Sequence, residues 1–511
     1  MKAQFDEAPA HAANPLSPSS AAWILAATIL GSSMGFIDGT VVNVALPALQ
    51  ASLHATVVDV QWVVESYGLF LSALILVGGA LGDSIGRRLT FLTGVIIFTA
   101  ASIACALSST VGQLIAWRCL QGFGAAFLVP SSLAIISAAF DEKSRGRAIG
   151  TWSGFTAITT ALGPVLGGWL VEHASWHWVF YINVPLAAAV IVISLRHIPE
   201  TRSADASKID WLGAALVTIG LGGLIYGFIE SATLGWHHAF VIGSLTGGIL
   251  ALIAFVFVEM RSQSPMVPLH LFQSSKFAGA NLLTLFLYSA LGVFFFLFPM
   301  NLIQVQHYSA TATGAATLPA ILLMFLLSRW SGGLVARYGP RPPLIIGPLI
   351  AAAGFLLFAW PSVGGHYWTT FFPGFVVFGI GTSVSVAPLT TVVMSSVAQD
   401  HAGTASGINN AVARVAGVLA IAVLGVVAVA AFSHHLQHSL ASLQLPPDIL
   451  HSLQANAIRL AALEVPGGVS GDISSQIHSA IANAFVSAFR LIMMICAGLS
   501  VASAAVAWRE I

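Results

Sequence analysis

Charge is scarce in this 511-residue sequence: 7% of its residues are Asp, Glu, Lys or Arg, against about a quarter in soluble globular chains. A water-soluble fold of this size is therefore excluded. The 19 basic and 19 acidic residues cancel, leaving no cationic excess for a nucleic acid partner. Cysteine is nearly absent. Cys105, Cys119 and Cys496 lie far apart, each in an apolar run, so neither a disulfide framework nor a metal-ligand spacing exists, and they read as small buried hydrophobes. No Gly-x-x-x-x-Gly-Lys-Ser/Thr loop occurs, which disfavours ATP-driven work within the chain. Gly-x-Ser-x-Gly and His-Glu-x-x-His are missing too, so no enzyme, cofactor or catalytic metal is expected. No cleaved leader is expected either. Residues 1–20, with Asn14-Pro15, Pro18, Ser19 and Ser20, read as a disordered tail, and the first apolar run is too long and contains Asp38.

What the chain has in quantity is apolar length. Hydrophobic residues make up 57% and mean hydropathy is +0.89, the signature of an all-α polytopic membrane protein. About twenty residues cross a bilayer. Candidate spans run over 21–49, 58–81, 89–108, 112–138, 146–171, 177–196, 210–230, 238–259, 277–305, 312–336, 343–361, 367–396, 403–431 and 482–508. Fourteen of the 19 Lys and Arg fall at the two ends or in alternate loops, while the opposite loops hold only Arg459. Arg118, Arg329, Arg414 and Arg490 fall inside spans. By the positive-inside rule both termini are expected in the cytoplasm of a cell (inner) membrane protein. The loop of residues 433–481 then faces outward. Within it Pro446-Pro447-Asp448 opens an amphipathic helical pattern through Ile449, Leu450, Leu453, Ala457 and Leu460. His434, His435 and His438 nearby lack an acidic or cysteine partner and read as solvated.

The chain repeats itself. Gly122-Phe123-Gly124 returns as Gly379-Ile380-Gly381 at an offset of 257, and Gly146, Ala148 and Gly150 return as Gly403, Ala405 and Gly407. A charged hinge at 79–88, Gly-Ala-Leu-Gly-Asp-Ser-Ile-Gly-Arg-Arg, is echoed at 332–341 with Ala336 in place of Asp83. Two pseudo-symmetric six-helix bundles are expected, at 21–196 and 276–511, with two inserted helices and linkers at 197–275. Parallel halves of this kind place a substrate site at their interface.

Acids well inside spans are only Asp38 and Glu65. Asp38 lies roughly 16 Å below the outer end of its span, and Glu65 and Arg118 roughly 10 Å below theirs, at 1.5 Å per residue. The three are expected to share one level. Glu172, Glu230 and Glu259 sit at helix ends, within reach of water. Intramembrane ionisable groups are functional candidates by default. Arg414, after Asn409-Asn410, sits about 16 Å from the cytoplasmic end of its span and reads as a cavity cation or as a group paired with a carbonyl. Glycines at 146, 150, 154, 163 and 167 line one helical face and permit backbone-close packing, and Pro164 removes a helical hydrogen bond. The run Phe294-Phe295-Phe296 with Phe298 reads as lipid-facing or pocket-lining.

The hinge, with Gly82, Asp83, Gly86, Arg87 and Arg88, resembles the signature loop of the major facilitator superfamily. Asp38-Gly39-Thr40 through Pro47, Arg118-Cys119-Leu120-Gln121-Gly122, and Gly154 through Gly163-Pro164-Val165-Leu166-Gly167-Gly168 resemble the helix 1, 4 and 5 motifs of its fourteen-helix drug:proton antiporters. Trp176 through Pro185 resembles the start of helix 6, with His177 where that family usually has arginine. The resemblance implies an efflux transporter exchanging protons for drugs or other amphipathic molecules. Asp38, Glu65 and Arg118 would then couple protons, the hinge would gate, the helix 5 run would serve antiport, and Gln121, Asn410 and Arg414 would line a cavity. Export of an endogenous metabolite, lipid or siderophore, proton symport, and a non-transporting sensor or scaffold stay open as alternatives. Protons, a small-molecule substrate and the lipid bilayer are the expected partners; a periplasmic adaptor also stays open.

Overall fold

The computed structural model describes residues 18–140, 142–202, 210–263, 265–397, 402–441, 443, 445–465 and 471–511, and among these no strand occurs. The long helices are α1 (Pro18–Ser52), α2 (Val57–Ile85), α3 (Arg87–Ala106), α4 (Val111–Ala139), α5 (Glu142–His173) and α6 (Trp178–Tyr181 with Asn183–His197). The inserted pair is α7 (Trp211–Leu234) and α8 (Ala239–Arg261). The second bundle holds α9 (Ser275–Met300, continued by a π-helical turn), α10 (Ala310–Ala316, Leu318–Gly332 and Leu334–Tyr338), α11 (Arg341–Ala359), α12 (Phe372–Ser395), α13 (Ala402–Ala441) and α14 (Gly471–Glu510). Thirteen of these, among the described residues, contain a stretch long and apolar enough to cross a membrane. The fourteenth long helix, α5, carries Lys143, Arg145 and Arg147 in its opening turns. With α5 as the fourteenth crossing, the start of α1 and the end of α14 fall on one face, here the terminal face, and residues 445–465 on the other, the long-loop face.

Local chemistry sets the helix starts. Thr56 and Asp59 cap α2 reciprocally: Asp59 N–H donates to Thr56 Oγ1 at 3.2 Å and Thr56 N–H to Asp59 Oδ2 at 2.8 Å. Thr110, Asp210, Ser274 and Ser309 cap α4, α7, α9 and α10 in the ordinary side-chain-to-backbone way.

The repeated glycines explain how each bundle closes. A Cβ on Gly122 would lie 2.4 Å from the Tyr67 carbonyl oxygen of α2, and one on Gly124 would lie 2.5 Å from the Phe98 nitrogen of α3. Their counterparts do the same work. A Cβ on Gly379 would lie 2.7 Å from Ala320 Cα of α10, and one on Gly381 2.3 Å from the Ala351 nitrogen of α11. So α4 and α12 each pack backbone-on-backbone against the equivalent pair of neighbours. Here, where lipid gives no hydrophobic drive, such contact is what holds helices together.

Several sequence expectations need correcting. Gly79 and Gly82 belong to α2, which runs to Ile85. The turn is the single residue Gly86, at φ 133°, a conformation that glycine tolerates. Helices α13 and α14 reach Ala441 and back to Gly471, so much of the expected 433–481 loop is helix; residues 432–441 contain neither Gly nor Pro to stop α13. Between these two helices, the described residues fold as Pro447–Ala455 and a 3-10 segment at Ala457–Ala462, burying Leu453 and Leu460. Phe294, Phe296 and Phe298 face neither lipid nor a pocket. They are buried among Phe355, Phe358, Phe371, Phe375 and Phe378, with ring centroids 4.9 Å apart for Phe294–Phe358 and 5.0 Å for Phe298–Phe375. Glu259 is also buried, accepting from Val267 N–H at 3.1 Å.

Candidate functional site

The two bundles meet through pseudo-equivalent helix pairs, α5 with α10 and α2 with α13. At the first pair, a Cβ on Gly168 would lie 2.2 Å from the Ala310 carbonyl oxygen, and one on Gly314 would lie 2.1 Å from that of Pro164. At the second, a Cβ on Gly68 would lie 2.6 Å from Val418 Cγ2, and Gln61 Nε2 donates to the Ile421 carbonyl at 3.4 Å. Polar contacts extend the seam at the long-loop face. Thr311 N–H donates to Glu172 at 3.2 Å, Gln304 Nε2 to Gln50 Oε1 at 2.9 Å, and Gln50 Nε2 to the Arg459 carbonyl at 3.3 Å. Helix α7 packs against both α2 and α13 in one apolar cluster, and Trp62 Nε1 donates to Glu230 at 3.0 Å.

The α5 run also grips α1. A Cβ on Gly163 would meet Thr40 Oγ1 at 2.1 Å and one on Gly167 would meet Val41 Cγ2 at 2.4 Å. Pro164 has no N–H, so the Thr160 carbonyl one turn earlier loses its helical donor. The Thr40 hydroxyl lies 3.4 Å from that oxygen. One surface of α5 therefore holds α1 while another holds α10.

Two residues before Thr40, Asp38 anchors a buried polar cluster. Arg118 Nη1 donates to Asp38 Oδ2 in an ion pair, and Gln121 Nε2 donates to Asp38 Oδ1 at 2.7 Å. Arg118 Nη1 also donates to Gln121 Oε1 at 2.8 Å and its Nε to the Val63 carbonyl at 3.0 Å. Tyr67 lies beneath the guanidinium, 4.2 Å from ring centroid to Cζ. Gln121 Nε2 reaches Ser102 Oγ at 3.3 Å, and Asn183 Nδ2 donates to the same oxygen at 2.9 Å. Every member is essentially unexposed. Charge in so dry a place is sustained only by full pairing.

The structure thus brings Asp38 and Arg118 together and adds Gln121, which was expected at a cavity but is wholly buried. Glu65 does not join them: it is unexposed, and neither carboxylate oxygen has a hydrogen-bond partner. Asn410 is exposed and Arg414 partly so. The surroundings of Asp83 and Gly154 lie outside the described residues. At the terminal face the hinge is held by a residue the sequence reading passed over. Glu200 accepts from the N–H groups of Arg88 and Leu89, each at 3.0 Å, at the start of α3, while Arg88 Nη1 donates to the Ile198 carbonyl at 3.0 Å. An acid at a helix N-terminus suits both its free N–H groups and its dipole. The signal for it was a lone Pro199-Glu200 at the end of a span.

Comparison with known proteins agrees with this architecture. A family model described as Major Facilitator Superfamily matches residues 28–212 and 211–421. The multidrug resistance protein Stp of Mycobacterium tuberculosis is 36% identical over 414 residues, covering 81% of this chain and 77% of the relative. The tetracenomycin C resistance and export protein of Streptomyces glaucescens is 35% identical, covering 79% and 75%. The puromycin resistance protein pur8 of Streptomyces alboniger is 33% identical, covering 81% and 83%. Among solved structures, an inward-facing, unoccupied bacterial homolog of the human lysosomal transporter Spinster superposes with a TM-score of 0.66 at 17% identity, over 97% of this chain and 99% of that one.

Proposed function

Because the chain belongs to the major facilitator superfamily, we propose that it is a secondary active efflux transporter of the cytoplasmic membrane, exchanging protons for drugs or similar amphipathic molecules. The names of its relatives support export of drug-like compounds. The segregation of loop Lys and Arg supports cytoplasmic termini, which makes the long-loop face the outer one. The observation that carries proton coupling is the buried Asp38 carboxylate, bonded at both oxygens, on the helix that Thr40 and Val41 fasten to α5.

The ionised carboxylate holds Arg118 of α4 and Gln121 against α1. A proton on Asp38 cancels the ion pair and turns one acceptor oxygen into a donor, so the α1–α4 bond weakens and Arg118 must find other acceptors. Any shift of α1 is passed to α5, because the glycine contacts leave no slack between them. The adjoining surface of α5, at Pro164 and Gly168, closes on α10, so the outer seam feels the protonation state of Asp38. Protonation and substrate then bias one conformational equilibrium from two places, the thermodynamic requirement for exchange. In this scheme the α2–α3 turn at Gly86, with Glu200 docked on the start of α3, is the cytoplasmic hinge. Glu65, without partners and near the α2–α13 contact, is an accessory proton site.

The test is efflux from proteoliposomes under an imposed pH gradient. Asp38→Asn keeps the size of the side chain and removes its titration, so gradient-driven export should vanish while the protein still inserts. Glu65→Gln should reduce export without abolishing it. Full gradient-driven export by Asp38→Asn would refute the assignment.

A further inference from the structure

Of the arginines inside the spans, the side chain of Arg329 lies outside the described residues, Arg118 is bonded to Asp38, Gln121 and the Val63 carbonyl, and Arg490 donates to the Trp360 and Pro361 carbonyls at 3.1–3.3 Å. Arg414 differs. Among the described residues it makes no ion pair and no hydrogen bond, its Nε is buried without an acceptor, and its guanidinium stands 5.8 Å over the Phe36 ring. The carbonyl pairing open to it from the sequence is not made.

Its position is between the bundles, on α13, facing α1. Phe36 shares its face of α1 with Gly39 and Asn43, at helical spacings of three and seven. Gly39 is exposed, with nothing within 4 Å of where a Cβ would stand. One turn from Arg414, Asn410 is exposed as well. The Tyr67 and Tyr288 hydroxyls lie within electrostatic range of the guanidinium, and neither is an anion at neutral pH. Asp38, two residues from Phe36 on α1, is already taken by Arg118 and Gln121. A fixed cation so placed is costly to hold without a partner, and the face of α1 opposite it is open at Gly39.

We propose that Arg414 is an anion-binding group of the substrate cavity, which selects molecules carrying a carboxylate, phenolate or phosphate on a flat apolar body. The partly exposed rings of Phe36 and Tyr288 take the apolar body, and the guanidinium takes the acid group through charge-assisted hydrogen bonds. This rests on the efflux reading and narrows it from amphipathic molecules at large to acidic ones.

Fluorescein and rhodamine 123 share a xanthene core and carry opposite charge. Binding of each to the purified full-length protein is measured by fluorescence anisotropy, for wild type, Arg414→Gln and Arg414→Lys. The wild type should favour fluorescein. Arg414→Gln should lose roughly tenfold to a hundredfold in fluorescein affinity with rhodamine 123 unchanged or tighter, and Arg414→Lys should recover part of the loss. Displacement of fluorescein by benzoate assigns the site to free aromatic acids, and displacement by lysophosphatidylglycerol alone assigns it to a lipid headgroup; either supports an anion site when Arg414→Gln abolishes it. Equal loss for both dyes, or a wild type that binds rhodamine 123 and not fluorescein, overturns the proposal. If rhodamine 123 is exported under a pH gradient while fluorescein neither binds nor moves, only the anion site falls. If fluorescein binds through Arg414 and neither dye is exported, only the efflux reading falls.

Discussion

Replacing Gly168 by Ala asks whether the α5–α10 seam is a conformational latch. The added Cβ would stand 2.2 Å from the Ala310 carbonyl oxygen, 2.5 Å from its carbon and 2.7 Å from the Thr311 nitrogen. All three are backbone atoms, so no rotamer change relieves the clash. A carbon–oxygen contact is comfortable at about 3.3 Å, so the helices must part by about 1 Å. Overpacking of this order costs about 1–3 kcal/mol. It is charged only to the state in which α5 and α10 touch, whereas the gain in helix propensity of roughly 0.5–1 kcal/mol applies to every state. The closed outer seam should therefore lose a factor of about 5 to 150 against the open one. Double electron–electron resonance between spin labels at His173 and Ala312, in a cysteine-free background, measures the balance. Wild type should give one short distance, and Gly168→Ala should add a longer population and lower gradient-driven export. Gly243→Ala on α8, where a Cβ meets nothing within 4 Å, serves as the control. A distance distribution in Gly168→Ala identical to wild type would refute the latch.

Two other predictions concern Glu172 and Phe294. Interaction with Thr311, whose N–H donates to Glu172 at 3.2 Å, holds the Glu172 carboxylate below its ordinary range. A depressed carboxylate stabilises the state that depresses it above its ordinary value, and that help is lost as pH falls through the depressed value. The seam distance should therefore lengthen only in acid below the usual carboxylate range, and Glu172→Gln should abolish that pH dependence; an unchanged acid transition in the variant would assign it elsewhere. Phe294→Ala removes the centre of the aromatic cluster in the second bundle and should cost about 3–5 kcal/mol, seen as a lower midpoint of thermal aggregation, while the protein that folds binds substrate normally; a lost affinity at unchanged stability would return this cluster to the pocket.

Much of the site was legible in the sequence, because charge in an apolar run is rare enough to stand out. Asp38 and Arg118 declared themselves in that way, but their joining through Gln121 did not. Gln121 is neutral, and a glutamine near a span centre suits a wet cavity as well as a dry network. Glu65 had the same signal as Asp38 and lies apart from the cluster, since depth along two helices says nothing about the direction in which each side chain points. The phenylalanine run misled for a related reason: lipid, pocket and bundle core are all apolar, and sequence alone does not separate them.

The sequence by itself determined the membrane class, the span count and the doubling of the bundle. Hydropathy and charge segregation depend on the solvent each residue must meet, and the glycine pairs at one offset record equal backbone contacts in the two halves. Only the tertiary structure decided which glycines touch which backbone, that α5 serves both α1 and α10 from adjoining surfaces, that Glu200 holds the hinge, and that Arg414 has no partner among the described residues. Those facts depend on the rotation of each helix about its axis and on atoms hundreds of residues apart in the chain, such as Gly168 and Ala310 or Phe36 and Arg414. A hydrophobic pattern with apolar residues on every face leaves that rotation open, and close packing settles it.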